Sequence, residues 1–246
     1  VIYAISSACP EVVIQPEWCE ALAKQRARLA KWHGHEPNRI EFTTAIGQID
    51  DPDAVDVQIL PDLSRFPGTS GLLAFHDYTS GRPVCYMGAA AIKAENGTDN
   101  WILGPNGLWS AVSHEICETD EDRDCAKTVT NPDGQVEPYE VCDRLQGSDY
   151  EEDGSPGIWL ANALGPQGFV IGAARAAGLD IASDLRTSTF TASFPLTPGG
   201  YYAPEGEPPV FGERVSGVAR ARIERHGARG GMRRRRATTA PELEAK

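Results

Sequence analysis

No run of about 18 apolar residues occurs in the chain, so no membrane-spanning helix is expected. The opening VIYAISSACPEVVIQPEW has no basic segment ahead of a hydrophobic one, so no secretory signal is expected there. The chain reads as soluble and unprocessed, and Val1 is the kind of residue that removal of an initiator methionine leaves. Among six cysteines (Cys9, Cys19, Cys85, Cys117, Cys125, Cys142) there is no CxxC pair, which argues against a zinc ribbon or a dithiol redox motif. A chain of 246 residues can bury a sizeable core without crosslinks, so reduced, mostly buried thiols are expected. No internal repeat is evident.

Charge is abundant and unevenly divided. The net charge is −12, yet nine arginines against Glu224 give residues 214–236 a charge of +8, which leaves the preceding residues at −19. An acidic body repels nucleic acid and suits cations, whereas ARARIERHGARGGMRRRR suits docking on something negative. Two parts follow: a domain over residues 1–213 and an arginine-rich arm over 214–246.

Hydrophobic spacing predicts the elements of the body. PEWCEALAKQRARLAKWHG places Trp18, Leu22, Ala23, Leu29 and Trp32 at helical intervals and ends at Gly34, as an amphipathic scaffold helix would. RIEFTTAIGQI and AVDVQILP alternate as strands around the turn cluster DDPD. GLLAFHDYTSGRPVCYMGAAAI reads as two strands joined by TSGRP. A turn at Gly104–Gly107 precedes a helix starting near Leu108. From 120 to 157 the chain is polar and loop-like apart from PYEVCDRL; GFVIGAARAAG suits a short helix, and SFPLTPGGYYAPEGEPPVFG an extended end. Sheet plus a few helices in irregular order is α+β.

The chemistry concentrates in SHEICETDEDRDC, residues 113–125. Helical positions four apart lie on one face, so His114 and Glu118 can reach one cation. Glu115 falls about 100° further round, where a carboxylate can hold a water. These placements are the working content of an HExxH zinc-protease helix, two ligands and a general base, with the second ligand here a carboxylate. A divalent ion is the expected cofactor, zinc before calcium, since extra carboxylates move the preference toward harder ions. A third ligand must come from elsewhere, and PYEVCDRLQG offers Glu140, the favoured ligand, and Asp143, a further ligand or a group orienting His114. Cys142 is the runner-up for a soft ion, while Cys117 lies off the His/Glu face and suits the core. The other reading of this helix is an acidic surface segment with a hydrogen-bonded histidine. His76 either approaches the site or ends a strand paired with Asp77. His33 and His35 flank a glycine and read as solvated, and His226 as one more polar group of the arm.

The order of WCEALAKQ, GLLAFHDYTSGRPV, SAVSHEICET, EPYEVCDRLQGSDY and FPLTPGGYY resembles a group of uncharacterised bacteriophage and prophage proteins with a G-x-H-D stretch, an SHExxE helix, an E-x-x-D segment and a P-G-G-Y end. The likeness spans roughly residues 15 to 205. SHEICE with its E-x-x-D segment is also distantly similar to plant exordium-like proteins. The resemblance implies a phage-encoded, zincin-like mixed sheet with a motif helix. Relatives carry a D-P pair after that helix and a tryptophan downstream, where this chain has TDEDRDCAKTVTNPDG, so the loop expected to wall the site differs.

Three functions are compatible with these features. One is a virion structural or decoration protein, assembled in the host cytoplasm, whose arm (214–246) docks on other virion proteins of the capsid or on packaged DNA, with no membrane partner. Another is an active metal-dependent hydrolase of peptides or glycans at the host surface, with Glu115 catalytic and His114, Glu118, Glu140 and Asp143 as the metal-ligand set. An exported binding module is the last. If the arm contacts DNA phosphates, affinity for duplex DNA drops by orders of magnitude between about 50 and 200 mM salt. Affinity that is flat over that range in a filter-binding titration removes DNA from the partners.

Overall fold

A computed structural model of the chain describes residues 1–33, 39–43, 51–163 apart from 52, 68, 70, 71, 80 and 98, and 196–224 apart from 216, 218 and 222. The elements in order are β1 (Ile2–Ser7), α1 (Pro16–His33), β2 (Arg39–Phe42), β3 (Val55–Leu60), β4 (Ala74–Thr79), β5 (Arg82–Gly88), α2 (Ala89–Asn96) and α3 (Leu108–Glu121). Short pieces follow: β6 (Thr128–Thr130), β7 (Val136–Pro138), a 3-10 turn at Asp143–Leu145, β8 (Tyr150–Glu151), β9 (Trp159–Leu160), β10 (Tyr201–Tyr202) and β11 (Val210–Phe211). Among the described residues no helix is long and apolar enough to cross a membrane.

The main sheet has the order β2-β1-β3-β5-β4. β1 is parallel to β2 and β3, β3 is parallel to β5, and β4 alone runs antiparallel, against β5. The α+β class with a mixed sheet is therefore what the protein adopts. Two elements depart from the sequence reading. IYAISS is a central strand, and Ala89–Asn96, expected to continue the preceding strand, is a helix. Gly88 ends β5 with its backbone against Leu63, where a Cβ would lie 2.9 Å from Cγ, and the alanine-rich segment after it has the higher helix propensity.

Strand alternation sorts the side chains. Val55, Val57 and Ile59 of β3, with Cys85 and Met87 of β5, join Leu22 of α1 and Trp109, Val112 and Ile116 of α3 in the larger core. Leu60, Phe75, Val84 and Tyr86 enter a smaller cluster with Leu63 and Leu72, beside which Phe66 stacks 4.4 Å from the Tyr86 ring. By the same period of two, His76 turns away from that cluster toward α3, opposite Cys85 in the β4–β5 register. In α1 the buried face is not wholly the expected one: Ala23 is exposed, while Gln25 and Arg26 are buried, the former donating to Ala161 O at 2.8 Å and the latter pairing with Asp120 of α3.

Within the polar 120–157 region, one ion pair organises the chain. Arg144 grips Glu137 with Nη2 donating to Oε1 and Oε2 at 2.7 and 2.8 Å and Nε donating to Oε1 at 3.1 Å, both residues being buried. The guanidinium also lies 3.9 Å from the centre of the Tyr202 ring. The loop 138–143, with Glu140 and Asp143, is thereby closed at its base. Gly200 packs so closely on this turn that a Cβ there would lie 2.2 Å from Arg144 O, which is why small residues precede Tyr201.

The sequence expectations for the side chain of His33, for His35, for the helix at 168–178, for His226 and for the arm from 225 onward lie outside the described residues. The arm's first residues are seated on the body: Arg214 N donates to Pro198 O at 2.7 Å, Arg220 lies 5.0 Å from the Phe211 ring centre, and Ile223 is buried. All six cysteines are free thiols, four of them buried.

Removing one partner of the Arg144–Glu137 pair leaves the other charge buried and unpaired. Arg144→Ala is expected to cost about 3–5 kcal/mol in urea denaturation. A cost below about 1 kcal/mol, the range of exposed pairs, would show that the clasp is not what closes the loop.

Candidate metal centre

α3 is clamped before it presents anything. Trp109, Val112 and Ile116 are fully buried in the core, and Trp109 Nε1 donates to Trp18 O at 2.9 Å. Ser113 Oγ accepts from Ala161 N at 2.8 Å, and Asp149 Oδ2 accepts from Asn106 N and Ser110 Oγ, each at 2.6 Å. With that face fixed, a second stripe at helical spacing, Ala111, His114, Glu115, Glu118 and Asp122, lines a cavity of about 160 Å³. His76 from β4, Glu140, Asp143 and Tyr201 line it as well. Glu115 and Glu118 are only 5% and 3% exposed, so this is not a solvated helix face.

Glu118 is the meeting point. Its Oε1 lies 3.0 Å from His114 Nε2 and accepts from Cys142 N at 3.3 Å, while its Oε2 lies 3.5 Å from His76 Nδ1. His114 Nε2 is also 3.4 Å from Asp143 Oδ1. His76 Nδ1 is 3.1 Å from Glu115 Oε2, and its Nε2 is 3.9 Å from Glu140 Oε2. The other three expected ligands thus fall on two sides of the fourth, Glu118. Asp143 accompanies His114, and Glu140, favoured from the sequence, stands with His76. Two triads have ligand atoms within 4.8 Å of one another: His114, Glu118 and Cys142; and His76, Glu118 and Glu140. Cys117 is in the core, where Arg26 donates to its sulfur at 3.3 Å.

Tyr201 was not anticipated. Its hydroxyl bonds to Asp143, and its position follows from Gly200 lying against Arg144. The signal was present in PGGYY, as two glycines permitting close backbone approach next to a polar aromatic. Cys125 also faces His76 and lines the cavity, at a left-handed φ of 53°.

Burial opposes the imidazolium of His114, but the Glu118 charge, hydrogen bonds with Asp143 and Glu118, and the Glu115 charge raise its pKa well above the ordinary value. Burial likewise opposes the His76 imidazolium and is outweighed by Cys125, Glu140 and the hydrogen bonds to Cys125 and Glu115. Burial works against the Glu118 carboxylate too, but the two histidines hold it below the usual carboxylate range. Burial and the Glu118 charge push Asp143 up to about 6, and raise Glu140 well above its ordinary value. Burial and the Asp143 charge raise Tyr201, which keeps its phenol protonated and able to donate.

Comparison with protein-family models, curated proteins and solved structures finds no match to the chain. The site's own geometry therefore carries the functional reading.

The shifts fix a pH dependence. A ligand histidine must be neutral and a ligand carboxylate ionised, so protons leave as an ion enters. Asp143 makes the apparent affinity rise with pH up to about 6, and the raised histidines carry the rise on above 6, by about tenfold per pH unit for each proton released. In the metal-free protein the sign is opposite. Folded Asp143 holds its proton more tightly than the unfolded chain does, and its stabilising effect, full below 3.8, is lost by about 6. The histidines' contribution is full below 6.5 and lost as pH rises through their higher folded values. The Glu118 contribution is already complete above 4.5 and does not offset this. Chelated protein should therefore melt at a lower temperature at pH 8 than at pH 5, and protein with zinc in excess should show a gap over the chelated form that widens with pH; the reverse order in differential scanning fluorimetry overturns the assignment.

Proposed function

We propose that the chain is a divalent-metal-dependent hydrolase of zincin-like build, cleaving extended peptide chains. The observation that carries this reading is a buried Glu118 flanked by two imidazoles, with Glu115 one helical step away on the same cavity wall. His114, Glu118 and Asp143 are the residues that would hold the ion, with the Cys142 thiol beside them. An imidazole and a thiol among the donors favour zinc over calcium. The donor set fits an ion for a further reason: Glu140 Oε2 is buried and has no hydrogen-bond partner. The zincin-like description is supported by an HExxE helix packed against the antiparallel outer strand of a mixed sheet.

When bound, the ion would polarise the scissile carbonyl and acidify a water molecule. Glu115 would take the proton of that water and later deliver it to the leaving amine. His76, 3.1 Å from Glu115, fixes the direction of that carboxylate. Tyr201, held protonated, donates its O–H to Asp143 and so orients that carboxylate toward the ion. β4 is an outer strand of the sheet among the described residues and its residues 74–76 line the cavity, so an extended peptide added beside it would run past the site. That is the ground for preferring a peptide to a glycan. The virion-docking role expected from the arm rests on its charge, and the arginines from 225 onward lie outside the described residues.

Glu115→Gln should keep a stoichiometric ion, by elemental analysis, and lose about 10²–10⁴-fold in peptide hydrolysis. Glu118→Ala should lose the ion. A protein that holds the ion yet is equally inert with Glu or Gln at 115, toward peptides and glycans alike, has an architectural site, and the structural role for the chain then takes precedence.

A further inference from the structure

The two oxygens of Glu118 face different partners: Oε1 meets His114 and the Cys142 amide, and Oε2 meets His76. Each side has its own further carboxylate, Asp143 beside His114 and Glu140 beside His76. We propose, building on the metal-dependent reading above, that the cavity holds two divalent ions bridged by Glu118, the second one on His76 and Glu140 with Glu115 adjacent.

Charge supports the second ion. Of the seven carboxylates lining this cavity, Glu115, Glu118, Glu140 and Asp143 stand around the two imidazoles, while Glu137 is taken up by Arg144 and Asp122 and Asp149 accept from backbone amides. One divalent ion on the His114 side takes up His114, Asp143 and Oε1 of Glu118, and leaves His76, Glu140 and Oε2 of Glu118 facing one another. Two divalent ions balance four carboxylates and leave both histidines neutral, the form that ligates. The second side also has an open valence. Glu140 Oε2 is buried without a hydrogen-bond partner and its nearest cationic group is the His76 Nε2 at 3.9 Å, a distance too long for a hydrogen bond and suited to two groups converging on a third. The ligand atoms of His76, Glu118 and Glu140 all lie within 4.8 Å of one another. A carboxylate bound through both oxygens sets two ions about 3.5–4 Å apart, the spacing at which a pair can hold the attacking and leaving oxygens of one displacement.

The geometry also assigns different fates to different ligands. His76 and Glu140 serve only the second ion, His114 and Asp143 only the first, and Glu118 serves both.

The test is the stoichiometry of full-length protein stripped with a chelator and titrated with Zn²⁺ alone, by calorimetry and elemental analysis, with folding checked by circular dichroism. Wild type should bind two ions, His76→Ala and Glu140→Gln one each, and Glu118→Ala neither. Wild type that binds one ion, with His76→Ala also binding one, overturns the two-ion site and leaves the single-ion reading standing. Wild type that binds none removes both. Two ions in wild type and still two in both His76→Ala and Glu140→Gln place the second ion elsewhere and overturn the proposal. Should either variant fail to fold, Mn²⁺-loaded wild type decides: an exchange-coupled electron paramagnetic resonance spectrum supports the bridge, and a spectrum of isolated ions refutes it.

Discussion

The constraint on which this structure depends is the burial of Glu118 between two histidines. A carboxylate 3% exposed must be matched by positive charge, and among the described residues His114, from the same helix, and His76, from the outer strand β4, supply it within reach of its oxygens. That requirement fixes the rotation of α3, the face of β4 turned toward it and the approach of the 138–143 loop, because the Cys142 amide donates to the same carboxylate. Moving any of the three leaves a charge or a polar group buried without its partner.

Much of the remaining polar architecture keeps these three pieces in place. α3 is tied to α1 and β1 by Asp120, which pairs with Arg26 and accepts from Tyr3 at 3.0 Å. The loop is tied at its base by Arg144 and Glu137, and this clasp is in turn covered by Tyr202. The same aromatic pair supplies Tyr201 to Asp143, so the β10 segment both shields the clasp and enters the site. These are buried, charge-assisted contacts between elements far apart in sequence, the kind that fix one arrangement among the alternatives hydrophobic packing alone would allow.

The helix was legible in the sequence because its information is local. A turn ending at Gly107, apolar residues at helical spacing and a His–Glu pair four apart define α3 and its reactive stripe without reference to the rest of the chain. α1 was legible in extent but less so in face, since Arg26 and Gln25 are buried only through partners on α3 and at Ala161. β1 went unrecognised because a short apolar run at a chain end has no alternation to mark it, and its parallel partners are dozens of residues away. α2 was missed because a strand-like run passes into alanines without a polar cap; Gly88 makes no side-chain capping bond. The division of the ligands depends on tertiary register. Spacing could pair Glu140 and Asp143 with α3, but only the β4–β5 pairing turns His76 inward and draws Glu140 to its side.

Placing this cluster in a largely buried cavity carries a standing cost, since apolar residues of similar volume would serve stability as well or better than buried ionised groups. Asp143 and Glu140 display that cost in their raised pKa values, and Glu140 Oε2 displays it again as a buried acceptor without a donor. A purely structural network would close its hydrogen bonds within itself, as Glu137 and Arg144 do a few residues away. The contrast between these neighbours is informative. One carboxylate has every oxygen met by a fixed cation of the chain, while the carboxylates around Glu118 share two titratable imidazoles and leave an oxygen over. Donors assembled at such expense, countered among the described residues by two imidazoles, are what the proposed cation would complete.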